Sequence, residues 1–167
     1  LADAGLTPEV VSRVRDLKGV TVLAKDDLPE LQAADPPFGG LLAVQVSELR
    51  RIYRSPGPIN DPEGRTPDFW RFAPALWAAG FRPADIVLNT LSYHLTPGGH
   101  MLDAGLREVG CVVIPGGVGS TSTQASFAAS VGATGYVGTP QFLLTLCEKS
   151  KEDGITLSFE KALVTAA

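Results

Sequence analysis

The run Gly110-Cys111-Val112-Val113-Ile114-Pro115-Gly116-Gly117-Val118-Gly119-Ser120-Thr121-Ser122 sets a short β-branched segment directly before a loop of glycines and hydroxyls. Gln124-Ala125-Ser126-Phe127-Ala128 then reads as the start of a helix. The carboxyl end of a parallel strand and the helix N-terminus beyond it form a place where anionic ligands bind, because backbone N–H groups converge there. A plain strand-to-helix connection, with glycines for tight packing, accounts for the same residues, and both readings stand at this level. A second segment, Tyr93-His94-Leu95-Thr96-Pro97-Gly98-Gly99, follows the apolar run from Asp85 to Leu91 and enters another helix. An aromatic ring there can pack on an aryl or acyl group and an imidazole can face a carboxylate. A half-buried core tyrosine and a surface histidine are the alternative.

Several chemistries are excluded by what is missing. Gly117-Val118-Gly119 has Ser122 where a dinucleotide loop needs its third glycine, and no Gly-Lys-Ser/Thr of a P-loop occurs. His94 and His100 are the only histidines and no serine sits in a Gly-x-Ser-x-Gly elbow, which disfavours a hydrolase. Cys111 and Cys147 lie in apolar segments without metal-ligand spacing; they read as reduced core residues of a cytoplasmic protein, with no metal site of their own. A net charge of −4 with scattered charges argues against nucleic acid or an anionic membrane as partner. No signal peptide is expected, and the sequence holds no apolar run long enough to span a bilayer.

The elements that must position these loops are marked by Thr-Pro pairs at Thr7, Thr66, Thr96 and Thr139, each a cap followed by a proline suited to the first helical turn. The spacing predicts helices from Thr7 through Leu17, from Thr66 through Leu76 to Gly80 with a bend at Pro74, and from Thr139 through Cys147 to Gly154. Phe142, Leu143, Leu146 and Cys147 make an apolar stripe, and Phe69, Trp70, Phe72 and Trp77 read as helix core and subdomain packing. Short apolar runs predict strands at Asp85–Leu91, Cys111–Ile114, Thr134–Val137 and Ala162–Thr165. The fold class is α/β, a mostly parallel sheet with flanking helices reading β-α-β-α-β-α-β from Phe81 onward. Residues 1–65 form a helical and extended lead-in that wraps the sheet, and residues 66–167 the βαβ-type part. Starting at Leu1 and closing on the apolar run Ala162–Ala167, the chain reads as a piece of a longer polypeptide whose exposed faces would allow a homodimer.

The order of segments carries a resemblance. Lys25-Asp26-Asp27-Leu28, Pro37-Phe38-Gly39-Gly40-Leu41, a Ser-x-Gly turn at Ser55, Ala79-Gly80-Phe81-Arg82-Pro83-Ala84-Asp85, Gly98-Gly99, Gly110 to Pro115 and Gly138-Thr139-Pro140-Gln141-Phe142-Leu143-Leu144 occur in the order and at the spacing of the phenylacetate–coenzyme A ligase family. The chain resembles the N-terminal part of the large domain of those adenylate-forming enzymes. The resemblance implies that a carboxylate attacks the α-phosphate of ATP with magnesium assisting, and that coenzyme A then displaces AMP. It implies a small aryl or acyl acid as partner, a phosphate loop at Ser55 and Gly57, and an acyl pocket at Tyr93, His94, Gly98, Gly99, Gly119 and Thr121. The catalytic residues proper fall beyond Ala167 by the family's pattern, so the fragment alone is expected to be inactive.

The departures are specific. Ser55-Pro56-Gly57-Pro58-Ile59-Asn60-Asp61-Pro62 stands where the family has Ser-Ser-Gly-Thr-Thr-Gly-Lys-Pro. Two prolines remove N–H donors, the paired threonines are gone, and Asp61 replaces a lysine with a charge that repels phosphate. Arg54 and Arg65 flank this loop and are candidates to replace the lost charge; solvated surface arginines are the alternative. His94 and Pro97 also differ from the family's Tyr-Gly-Leu-Phe-Thr-Gly-Gly. A degenerate homologue that binds a carboxylate or a partner protein without adenylating it is therefore the competing expectation.

Overall fold

The computed structural model describes residues 10–20 and 22–165, with two compact units, 1–41 and 42–167. In the first unit the described elements are 3₁₀ turns at Val14–Gly19 and Lys25–Asp27 and a short helix α1, Leu28–Ala34. Thr7 and Pro8, the expected start of the first helix, lie outside the described residues, and Val14–Gly19 is 3₁₀ rather than α-helical. The Pro36-Pro37 bond is cis and the chain turns at Gly39, whose φ is +64°. A Cβ at Gly39 would stand 2.9 Å from the Leu31 carbonyl carbon, so that turn admits no side chain.

The second unit opens with an antiparallel hairpin, β1 Arg51–Arg54 and β2 Asn60–Glu63, in which Tyr53 pairs with Asp61 and Arg54 with Asn60. Residues 42–65 thus belong to the same unit as the main sheet. After α2 (Ala73–Ala78) the chain runs β3 (Ile86–Asn89), α3 (Gly98–Val109), β4 (Val112–Pro115), α4 (Thr121–Ser130), β5 (Gly135–Gly138), α5 (Pro140–Glu152) and β6 (Lys161–Val164). The sheet is wholly parallel in the order β4-β3-β5-β6. All four strands predicted from apolar runs are present, shifted by a residue or two.

The helix predictions divide by their caps. Thr139 accepts the Phe142 N–H and Pro140 starts α5, which stops where Gly154 turns at φ +68°. Thr66-Pro67 starts no helix; Asp68 caps α2 instead, its two carboxylate oxygens each accepting at 2.8 Å from the N–H groups of Phe72 and Ala73. Pro74 therefore lies in the first turn of a six-residue helix, where a missing N–H is harmless, and does not bend it. Of the aromatic residues assigned to that helix, Phe72 packs against the core, Phe69 and Trp70 meet edge to face, and Trp77 is half exposed under the Arg82 guanidinium.

Two apolar clusters cover the sheet. Leu76, Phe81, Val87, Leu102, Leu106 and Val137 bury one face against α2 and α3; Leu88, Ile114, Ala125, Tyr136 and Leu146 bury the other against α4 and α5. At the amino end of the strands Asp85 joins three of them. Its carboxylate accepts from the Arg82 N–H at 2.7 Å, from Thr134 Oγ1 at 2.9 Å and from Lys161 Nζ at 3.0 Å. Burial pushes this carboxyl up, and the donors of Arg82, Lys161 and Thr134 together outweigh it, so its pKa lies below the ordinary value. A second carboxylate, the buried Glu63, holds the hairpin: it accepts from Arg51 at 2.9 Å and from the Tyr53 phenol at 2.6 Å.

Two outcomes follow for stability. Asp85→Asn is expected to cost about 2 kcal/mol in urea unfolding, since Lys161 loses its partner. Because the folded pKa is depressed, the wild-type contribution is complete above the unfolded value, about pH 4, and is lost as pH falls through the folded one; the variant should lack that part of the acid slope. Glu63→Gln is expected to lower stability by about 2 kcal/mol by leaving Arg51 without its carboxylate. A thermal shift showing no change would mean that Tyr53 packing alone holds the hairpin.

Candidate functional site

The loop after β3 is built around Asn89, which is fully buried at the strand's carboxyl end. Its Nδ2 donates to the Tyr93 phenol oxygen and to the Gly99 carbonyl, both at 2.8 Å, and its Oδ1 accepts the Leu91 N–H at 3.1 Å. Its backbone carbonyl accepts the Gly117 N–H at 3.0 Å, which ties the loop after β4 to the same residue. Burial raises the Tyr93 pKa, with Asp103 adding to it, so the phenol stays protonated and faces inward between Asn89 and Asp103. The phenol oxygen is thereby engaged within the protein. Gly99 must be glycine, since a Cβ there would meet the Ser92 carbonyl at 2.7 Å and the Tyr93 ring at 2.8 Å.

The second loop is gathered by Gln124. Its Nε2 faces the carbonyls of Gly116, Gly117 and Gly119 at 3.3, 3.1 and 2.7 Å, while its Oε1 is buried without a protein partner. Gly117 and Gly119 have φ of +63° and +91°, and Ser120 enters α4 at +48° without a side-chain cap. Gly119 is exposed and Thr121 half-buried at the first turn of α4. The first loop thus reaches the second through Asn89, and a Cβ at Gly117 would stand 3.8 Å from the Tyr93 ring.

The hairpin loop joins this cluster through one backbone bond. Arg54 N–H donates to the Leu95 carbonyl at 2.8 Å, setting residues 55–59 beside the loop 92–97. His100 stands between the two parts, its ring 5.3 Å from Tyr53 and 5.0 Å from Tyr93. Within the hairpin loop, Ser55 is committed: its N–H and Oγ both reach the Ile59 carbonyl, at 2.9 and 3.3 Å. Pro56 and Pro58 carry no N–H, so Gly57 and Ile59 hold the remaining backbone donors of residues 55–59.

The predicted residues therefore sort by place. Tyr93, Gly99 and the Gly116–Thr121 loop meet at the carboxyl ends of β3 and β4, and Ser55 and Gly57 stand at the hairpin tip tied to Leu95. His94 is exposed, its N–H donating to Ser92 Oγ at 3.1 Å. Gly98 lines an apolar cavity of ≈ 110 Å³ with Phe72, Leu91, Met101, Leu102 and Leu163. A roomier cavity of ≈ 580 Å³ beside the hairpin, lined by Leu42, Val44, Leu49, Pro62, Arg65 and Phe69, contains none of these residues. Asn89, Tyr53 and His100 were not expected as site builders. A lone amide closing an apolar strand run is the signal that marks Asn89.

No family model matches the chain. It is 29% identical over 161 residues to a phenylacetate-coenzyme A ligase of Pseudomonas putida, covering 92% of this chain and 36% of that protein. A phenylacetate-coenzyme A ligase of Aromatoleum evansii is 28% identical over 158 residues, covering 90% and 35%. Crystal structures of 2-hydroxyisobutyryl-CoA ligase superpose with a TM-score of 0.78 at 28% identity, over 92% of this chain and 34% of that one; one is in the postadenylation state with R3-HIB-AMP. Another is an open conformation holding 2-HIB-AMP and CoA, with the same TM-score and 35% of its length covered. The chain thus spans about a third of the relatives it matches. Shared order, spacing and fold agree: over about a third of their length this chain is similar in sequence to phenylacetate-coenzyme A ligases and in fold to 2-hydroxyisobutyryl-CoA ligase.

Proposed function

We propose that the protein to which this chain belongs is an AMP-forming acid–CoA ligase. A carboxylate oxygen attacks the α-phosphorus of ATP and pyrophosphate leaves; the coenzyme A thiolate then attacks the acyl carbon and AMP leaves. The observation that carries this reading is the Arg54–Leu95 backbone bond, which brings the hairpin loop against the loop that follows β3. Two anions must be held together before one can attack the other, and proximity of that kind accounts for a large part of such a rate. Similarity to ligases seen with acyl-AMP and CoA supports it.

In this reading the acid's organic part lies against the Tyr93 ring and the apolar cavity at Gly98, in a pocket shaped by Gly99, Gly119 and Thr121, with His94 at its rim. Ser55 and Gly57 mark the phosphate side. ATP and CoA are the expected co-substrates and a small aryl or acyl acid the substrate; the fragment alone is inactive. Among the described residues no group of three or more His, Cys, Asp or Glu is arranged to hold a metal. Among them, too, no helix is long and apolar enough to cross a membrane, and Cys111 and Cys147 are unpaired. We place the protein in the cytoplasm, acting on small molecules, as a monomer or homodimer.

The proline-broken hairpin loop favours a second reading, a non-catalytic carboxylate binder. Pyrophosphate release by the full-length protein with magnesium-ATP and a panel of acids separates the two. Acid-dependent release is expected, with Tyr93→Ala raising the KM for the acid roughly tenfold, about 1.4 kcal/mol of lost contact, and Tyr93→Phe staying near wild type. Carboxylate binding by calorimetry without release would establish the binder.

A further inference from the structure

The hairpin has lost the lysine and most of the N–H donors that a phosphate loop offers, yet five cationic side chains lie within residues 50–71. The structure sorts those of the hairpin and its ends. Arg51 lies on the Glu63 carboxylate at 2.9 Å and Arg50 at 3.7 Å. Arg65 is a brace, donating through Nε to the Glu48 carbonyl at 3.1 Å and through a terminal nitrogen to the Ser47 carbonyl at 3.2 Å. Arg54 differs: it is exposed, its guanidinium reaches Asn60 Oδ1 at 3.3 Å, and among the described residues it forms no carboxylate pair.

Its place is also particular. Arg54 is the last residue of β1, immediately before Ser55, and its own N–H makes the bond to Leu95. Because Tyr53 pairs with Asp61 and Arg54 with Asn60, and neighbouring residues of a strand alternate faces, Asp61 lies on the face opposite Arg54. The acidic replacement therefore does not neutralise this arginine. A guanidinium is always charged and presents paired donors that match phosphate oxygens.

Resting on the ligase reading, we propose that Arg54 binds the pyrophosphate portion of the nucleoside triphosphate, supplying from the strand the charge that the hairpin loop lacks. Arg65 has no such role. Arg54→Ala removes the guanidinium and keeps the N–H that bonds Leu95, so it tests the charge without untying the hairpin.

The experiment is calorimetry of inorganic pyrophosphate with the full-length protein, beside initial rates of acid-dependent pyrophosphate release. Arg54→Ala is expected to weaken pyrophosphate binding about tenfold and to raise the KM for ATP comparably while leaving the KM for the acid unchanged; Arg54→Lys should recover part of both. An unchanged melting temperature checks that the fold is intact. Wild type that binds no pyrophosphate, or Arg54→Ala that binds it equally well, overturns the assignment. Pyrophosphate binding that depends on Arg54 in a protein releasing none with any acid would uphold the anion site and sink the ligase reading instead.

Discussion

Asn89 is the constraint on which the candidate site depends. Once a side-chain amide is buried at the end of a strand, its donors and acceptor must be met from within, because each unmet group costs about 1–3 kcal/mol. The partners it recruits are the Tyr93 phenol, the Gly99 carbonyl and the Leu91 N–H. Its backbone carbonyl adds Gly117. The loop after β3 folds back on its own strand, and the loop after β4 is drawn in beside it. The glycine at position 99 follows from this, since the ring that Asn89 holds occupies the space a Cβ would need.

The same sheet closes its more obvious crevice. With the order β4-β3-β5-β6, the chain leaves β3 toward one side and β5 toward the other, so the topological switch point lies between those two strands. Their own side chains fill it. Thr90 Oγ1 donates to the Tyr136 phenol at 2.9 Å, and that phenol donates to the Thr139 carbonyl at 2.9 Å. Burial raises the Tyr136 pKa while the Thr90 donor opposes it, so the proton that makes the second bond stays in place. The two glycine loops and the hairpin loop meet instead on the β3 and β4 side.

What the sequence disclosed follows from the range of each interaction. The four parallel strands and α5 were legible because short apolar runs, a Thr-Pro cap and a terminal glycine are local signals. The helix expected from Thr66 was misplaced because Asp68, at a φ of +43°, captured the two N–H groups that a Thr66 cap would have needed to precede. Tyr93 and the Gly116–Thr121 loop were visible as types and spacings. Their assembly was not, since Asn89 works through partners ten and twenty-eight residues away. The pairing of Glu63 with Arg51 and Tyr53 was hidden for the same reason: a hairpin's register is not written in a loop that contains two prolines.

The hairpin separates geometry from chemistry. Its docking onto the loop after β3 runs through the Arg54 N–H and the Leu95 carbonyl, groups that every residue except proline at position 54 would supply. The loop sequence can therefore change without moving the hairpin, which is why the fold persists where the phosphate motif does not. The mode of anion binding cannot persist in the same way. Backbone N–H groups arranged around a phosphate act as fixed dipoles at contact range, whereas a guanidinium on an exposed side chain acts as a full charge screened over about 8–10 Å by salt. Replacing the first by the second, as proposed for Arg54, keeps attraction for a polyanion and gives up much of the shape selection.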